Sequence, residues 1–171
     1  MGLSLKLYNI FTIDNSDSFK LHFKDEFNNE DNLFIKAYKK VFNYLDKEII
    51  PIEVFIDENI PISRGLGSSS SLIVAGLLAA NKILDNPLNK DELLSLAAEL
   101  EGHIDNVLPC LFGGLCFGLK EDKEITYIKK DVSDKLSFLF FVPDIKLETA
   151  MSRKVIPWDI SLKLAILNNI N

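Results

Sequence analysis

The stretch from Pro61 to Leu84 limits the fold of this chain more than any other. A turn rich in glycine and serine, Pro61-Ile62-Ser63-Arg64-Gly65-Leu66-Gly67-Ser68-Ser69-Ser70-Ser71, runs straight into the nearly all-apolar segment Leu72–Leu84. A helix that is apolar all round has to be buried on most sides, so the rest of the chain must supply layers that enclose it. Its most apolar part, Leu72–Ala80, is stopped by Asn81 and Lys82, far short of the ~20 residues that a membrane span needs. Upstream, Pro51 opens Ile52-Glu53-Val54-Phe55-Ile56, which alternates as a half-buried strand. The turn is therefore expected to join a strand to a buried helix.

A glycine-rich turn at a helix start lets backbone N–H groups converge on an anion, and the helix dipole adds partial positive charge there. Serine hydroxyls add donors, one of which can sit on a phosphate-bound Mg²⁺. This suits a chain with 19 basic against 25 acidic residues and a net charge of −6, because oriented amides then hold the phosphate without a basic patch. The same balance argues against generic nucleic-acid or anionic-membrane binding. The Walker pattern fails, since no lysine lies between Asn59 and Ala80. The dinucleotide fingerprint fails too, since Ser70 stands where a third glycine is required. The competing reading is a flexible linker or a plain run of helix-capping residues, but a linker rarely opens directly into a fully apolar helix.

Elsewhere, Leu3–Ile13 and Phe19–Phe23 alternate as two strands, with Asp14-Asn15-Ser16-Asp17 as the turn between them. Asn32–Leu45 places Leu33, Ile35, Ala37, Tyr38, Val41, Phe42 and Leu45 mainly at helical spacing, with Asp31 as the expected N-cap. A further helix starts at Asn89-Lys90-Asp91-Glu92 and ends at Gly102, and Pro109 is expected to break the chain again. Strands at Gly114–Leu119, Ile125–Lys129 and Leu136–Val142 come next, and Ser161–Ile170 reads as a helix. The order suggests an α+β fold with a helix layer on one face of a mixed sheet. With 171 residues and no repeat or linker, the chain reads as one domain. Cys110 and Cys116 match neither a CxxC redox pair nor a zinc spacing and read as free buried thiols. The N-terminus lacks the pattern of a signal peptide, so a reducing cytoplasm is the expected compartment.

The segment Glu101-Gly102-His103-Ile104-Asp105-Asn106-Val107-Leu108-Pro109 is dense in polar groups yet runs into an apolar stretch. On spacing alone His103 reads as a satisfied structural histidine and Glu101 as a solvated carboxylate, while a His-x-Asp pair makes only a weak metal site. Arg153, by itself, is an ordinary solvated arginine in a polar turn.

Together these segments resemble a known family. Pro-x-x-x-Gly-Leu-Gly-Ser-Ser-x-Ser looks like the central ATP-binding motif of the GHMP kinases (galactokinase, homoserine kinase, mevalonate kinase and phosphomevalonate kinase), where it wraps the triphosphate. Glu-Gly-His-x-Asp-Asn-Val-x-Pro with Gly113-Gly114 after it closely resembles the homoserine kinase branch. Other branches carry a catalytic aspartate at the position of Asn106. Val142-Pro143-Asp144, with Thr149-Ala150-x-x-Arg153-x-x-Ile156-Pro157 after it, is similar to the stretch in which an arginine meets the substrate carboxylate. Asn32-Leu33-x-x-x-Ala37 looks like the segment beside the adenine pocket, and Gly2–Asn9 is similar to the segment just after the family's first motif.

The resemblance implies a GHMP kinase N-terminal, ATP-binding domain over residues 1–142, without its first strand and motif, and the truncated start of a C-terminal domain over residues 143–171. It implies ATP-dependent phosphorylation of the L-homoserine hydroxyl, feeding threonine biosynthesis, with this chain as a fragment. The alternatives are a GHMP kinase for another small alcohol, or an inactive remnant or half of a split enzyme. ATP would meet Pro61, Arg64, Gly65, Leu66, Gly67, Ser68, Ser69 and Ser70, with Asn32 near the adenine. Arg64 is the weaker member, because the family varies there. Mg²⁺ would be held by Glu101 and Ser69, with Glu99 as a rival carboxylate. His103, Asp105 and Arg153 would grip the amino acid, with Asp105 nearest its ammonium or hydroxyl, and Asp105 and Asn106 are the implied catalytic residues. Arg153 is one of two arginines against 17 lysines, and its planar fork can grip a carboxylate bidentately where lysine cannot. Asn106 cannot act as a base at neutral pH. The implied partner is a small molecule, with no nucleic acid and no membrane. A homodimer, or a partner chain carrying the missing half, stays open.

Overall fold

The structure is a computed structural model and describes residues 1–23, 32–122, 124–142, 157 and 159–170. Along the chain come β1 (Gly2–Leu3), β2 (Ile10–Asn15), β3 (Lys20–His22), α1 (Leu33–Tyr44), β4 (Ile52–Asp57), α2 (Ser68–Ile83), α3 (Lys90–Glu101), α4 (Val107–Phe112), β5 (Leu115–Glu121), β6 (Glu124–Lys130) and α5 (Leu162–Ile170).

Helix α2 is enclosed as its composition demands, with Leu72, Ile73, Val74, Leu77, Ala79 and Ala80 all buried. It starts at Ser68, so all four serines belong to its first turn. Helix α1 lies across it at Gly76, where a Cβ would drive into the Phe34 carbonyl oxygen and crowd the Ala37 Cβ. On its inner face α1 buries Phe34, Ile35, Ala37, Tyr38, Val41 and Phe42. Its N-cap is Asn32, whose Oδ1 accepts from the Phe34 N–H at 2.7 Å; the expected cap, Asp31, lies outside the described residues. Helix α3 has a full capping box, in which Asn89 Oδ1 accepts from the N–H groups of Asp91 and Glu92 while Glu92 accepts from the Asn89 N–H. Gly102 ends it in the left-handed conformation (φ 82°). The buried Asn81 carboxamide donates to the Leu88 carbonyl at 3.0 Å and accepts from the Leu88 N–H at 2.9 Å, fixing the connection from α2 to α3.

The α+β class and the helix layer match the expectation, but the strands form two three-stranded sheets, β1-β5-β6 and β2-β4-β3. The expected β2–β3 hairpin does not form. Ile52 and Val54 are fully buried, and β4 takes the centre of its sheet, pairing antiparallel with β2 and parallel with β3. The expected strand Leu3–Ile13 splits into β1 and β2, and the stretch between them lines a cavity at the start of α2. Pro109 does not break the chain. It is the third residue of α4, where its missing N–H would have had no intrahelical acceptor. Leu136–Val142 is not a strand: Leu139 and Phe141 are 80% and 86% exposed, and strand propensity without a partner edge does not make a strand. The expected boundary after residue 142 opens onto residues 143–156, which lie outside the described residues. Among the described residues, no helix is long and apolar enough to cross a membrane.

The Gly76 crossing gives a direct test of the packing. Gly76→Ala should cost about 1–3 kcal/mol, as overpacking of a close contact does, and lower the urea midpoint with an unchanged slope.

Candidate functional site

Between β4 and α2 the backbone alternates in hand. Ser63 (φ 55°), Gly65 (φ 70°) and Gly67 (φ 77°) are left-handed, whereas Arg64 and Leu66 are not. Such alternation turns successive N–H groups to one side and forms an anion-binding concavity. A Cβ on Gly65 would meet nothing within 4 Å, so glycine stands there for its backbone conformation and the space before the turn is open. Gly67 is the N-cap of α2, and among the described residues no side chain caps this helix, in contrast to Asn32 on α1 and Asn89 on α3. The first intrahelical bond is Ser71 N–H to Gly67 C=O at 3.0 Å. The N–H groups of Ser68, Ser69 and Ser70 thus stand at a helix start that the protein leaves uncapped, with the positive end of the helix dipole behind them.

The end of α3 faces this helix start. Ser69 Oγ donates to Glu101 Oε1 at 2.7 Å, and Ser70 Oγ donates to the same oxygen at 2.9 Å. Glu99 instead pairs with Lys40 of α1 at 2.7 Å. Two residues along a helix are about 200° apart around its axis, so only one of these carboxylates can face the serines, and it is Glu101. In the α3–α4 turn His103 Nδ1 pairs with Asp105 Oδ1. Asn106 comes next as the N-cap of α4, and its Cβ lies 3.9 Å from where a Cβ on Gly67 would be. Gly2 lets β1 press against the Asp105 carbonyl and the Pro109 ring, where a Cβ has no room.

These elements enclose a cavity of about 420 Å³ whose lining includes Ser4, Leu5, Tyr8, Gly65, Leu66, Gly67, Ser71, Asn106, Cys110 and Phe140. Cys116 is a free buried thiol as expected, but Cys110 is exposed on its cavity side and crowded by protein only on its other sides. Burial, and then the Glu101 carboxylate, push its thiol up to about 11. Among the described residues, no three His, Cys, Asp or Glu side chains gather as a metal cluster. A cation here would therefore need hydroxyl and ligand oxygens beside Glu101.

Residues 32–114 match the description "GHMP kinases N terminal domain". This stretch is similar to the N-terminal domain of the GHMP kinases. Homoserine kinases of Clostridium botulinum and Petrotoga mobilis are 44% and 36% identical over 98% of this chain, which covers 57% of each of those proteins. A Listeria monocytogenes structure assigned as a homoserine kinase superposes with a TM-score of 0.75 at 31% identity, over 96% of this chain and 56% of that one. The homoserine kinase of Cytophaga hutchinsonii gives 0.72 at 26%, over 92% and 54%. The chain thus spans a little over half the length of the relatives it matches.

The GHMP motif residues expected from the sequence are brought together in part. Gly65, Leu66, Gly67 and Asn106 line the cavity, Ser69 and Ser70 meet Glu101, and His103 meets Asp105. Ser68 gives its carbonyl to the Ser71 hydroxyl at 2.7 Å. Pro61 opens the turn, and the half-buried Arg64 lies within it. Asn32 is taken up as the cap of α1, beside Phe34, whose carbonyl packs at Gly76, two turns along α2 from Ser68. Arg153 lies outside the described residues. Ser4, Asn9 and Cys110 are residues of this site that the sequence pattern does not single out. The N-terminal pattern predicted an unbroken strand there, and nothing in the spacing marks Cys110 as facing a cavity.

The thiol offers a pH test. With its pKa at about 11 against an ordinary 9.0, Cys110 in the native chain should react with iodoacetamide at pH 8 about a hundredfold more slowly than in urea. A raised folded pKa contributes stability that is fully present below pH 9 and is lost as pH rises towards 11. Cys110→Ser should flatten that part of the stability profile, as read by urea midpoints.

Proposed function

We propose that this chain is the nucleotide-binding part of a homoserine kinase, an enzyme that transfers the γ-phosphoryl group of ATP to the hydroxyl of L-homoserine and yields O-phospho-L-homoserine. The observation that carries the reading is the meeting of three groups: an uncapped helix start, a carboxylate held by two of its serine hydroxyls, and a His103–Asp105–Asn106 turn alongside. The homoserine kinases of Clostridium botulinum and Petrotoga mobilis are similar in sequence to this chain over nearly its whole length. A mixed α+β kinase domain and a small-molecule acceptor follow from the same kinship.

The donor set fits Mg²⁺, which prefers a few hard oxygens and keeps phosphate or water for the rest. Glu101 and Ser69 would hold it, and Ser70 would keep the Glu101 carboxylate aimed. Bound there, the metal would neutralise charge on the phosphate oxygens during transfer. The amides of Gly65–Ser70 would cradle the phosphates, with Pro61, Arg64 and Leu66 shaping the turn and Asn32 on the adenine side. Asp105, already oriented by His103, would receive the ammonium of the amino acid, and Arg153 its carboxylate. Asn106 would orient the hydroxyl through its carboxamide, which takes no proton at neutral pH. Rate would then come from holding hydroxyl and phosphorus together, an effect able to supply about 7–11 kcal/mol when alignment is good. A cytoplasmic location, a domain boundary near residue 142 and a homodimer or completing partner chain belong to the same proposal.

A coupled ADP-release assay on the whole gene product tests the reading. L-homoserine should support turnover, and turnover with mevalonate or a sugar in its place would refute it. Calorimetry on the 171-residue chain reports whether this part alone takes up Mg-ATP. Glu101→Gln should raise the Mg²⁺ concentration needed for half-maximal rate by at least about tenfold, whereas Glu99→Gln, on the face of α3 that pairs with Lys40, should leave it in place. Arg153→Ala should raise the KM for L-homoserine by about tenfold or more while the affinity for ATP holds. A fall in ATP affinity instead would remove Arg153 from the amino-acid site.

A further inference from the structure

We infer that Asn9 is the positioning residue of the anion-binding turn, a strap that fixes both of its ends with one side chain. Asn9 Oδ1 accepts from the N–H groups of Asn59 and Ile60, both at 2.9 Å, immediately before Pro61. Asn9 Nδ2 donates to Ser71 Oγ at 3.0 Å, in the first turn of α2 that the glycine turn leads into, and that hydroxyl donates in turn to the Ser68 carbonyl at 2.7 Å. The Asn59 side chain returns the contact, its Nδ2 donating to the Tyr8 carbonyl at 3.2 Å. Residues 61–70, the glycine turn and the start of α2, are thereby strung between two points held by the same carboxamide.

The chemistry of the position is narrow. Its oxygen must accept two N–H groups while another atom of the same side chain donates on the far side, and only a carboxamide combines these. Aspartate keeps the acceptors, loses the donor and adds negative charge beside the turn; alanine loses both ends. The turn needs such a strap because it holds three left-handed residues, two of them glycines, and glycine loses more conformational freedom on ordering than any other residue. Asn9 does not line the cavity. It acts through the turn and not on a ligand.

This inference rests on the nucleotide reading only for what the turn holds, and hydrogen exchange on the full chain separates the two. In Asn9→Ala the amides of residues 60–71 should exchange at least about tenfold faster, with α1 and α3 unchanged. Ser71→Ala, which cuts only the helix end of the strap, should accelerate the Ser68–Ser71 amides and spare Asn59 and Ile60. In the whole gene product Asn9→Ala should raise the KM for ATP about tenfold while kcat at saturating ATP and the KM for L-homoserine hold. The inference is overturned by unchanged exchange in the turn, by acceleration spread evenly over the chain, or by faster exchange with an unaltered KM for ATP. A wild-type protein that neither binds nor uses Mg-ATP would sink the nucleotide reading, and the exchange pattern would still decide the role of Asn9.

Discussion

A helix with apolar side chains on every side has no stable place except inside, and the way α2 is enclosed decides where the polar groups of this molecule meet. α1 closes one flank through the contact at Gly76, and α3 and α4 close others. Once those helices are seated, the end of α3 and the start of α4 must arrive at the first turn of α2, because α3 and α4 are joined by the short turn at Gly102–Asn106. Glu101, His103, Asp105 and Asn106 are thus carried to the serines by hydrophobic packing, and hydrogen bonds complete the fit. The burial of Leu72, Ile73, Val74, Leu77, Ala79 and Ala80, with Leu78 left exposed, removes apolar area worth roughly 25 cal/mol per Å². Each serine–carboxylate bond adds only about 1.5–3 kcal/mol in favourable geometry, so the core sets the position and the polar contacts refine it.

The three longer helices of the central layer are finished differently at their starts. α1 and α3 direct an asparagine side chain at their first N–H groups, whereas α2 begins on a left-handed glycine with no side-chain cap. An uncapped start facing an open space is unfavourable in an isolated domain, since those donors have only water. It turns favourable once an anion completes them. This explains how a chain with a net charge of −6 could take a phosphate. The attraction is local, made of oriented N–H groups and a helix dipole that falls off within about a turn, and the long-range field of the acidic surface need not be reversed.

The helices were legible because periodicity and capping agree over long stretches: Asn32–Leu45 and Asn89–Gly102 end within a residue or two of their predicted limits. The strands were less so. Asp14–Asp17 carries every mark of a hairpin turn, yet the neighbours of β4 are settled by which strand buries most, and Ile52 and Val54 settle it from a distance in sequence. Pro109 misleads for a local reason, since proline is excluded from a helix interior but not from its first turn. Leu136–Val142 has the composition of a strand and no edge to pair with. At the site, the motif residues could be named from the string, but the choice between Glu99 and Glu101 could not. It depends on which face of α3 meets α1, a matter of tertiary packing. Asn9 was invisible for a similar reason: its three partners lie 50 to 62 positions away.

That separation bears on how such a site would work. A transfer without a proton-taking base draws its rate from alignment, and alignment degrades with every loose degree of freedom in the groups that hold the reactants. The turn at Gly65–Gly67 is built from the residues least able to hold themselves in place, because only they can present their amides in this way. Rigidity must therefore be imported, and the structure imports it from three directions: the buried helix behind, the Glu101 carboxylate across the first turn, and the N-terminal segment through Asn9. The last is the least protected, since it depends on a segment that forms only the two-residue strand β1 before it reaches the site. Anything that loosens Leu3–Tyr8 should therefore loosen the glycine turn before it disturbs the core.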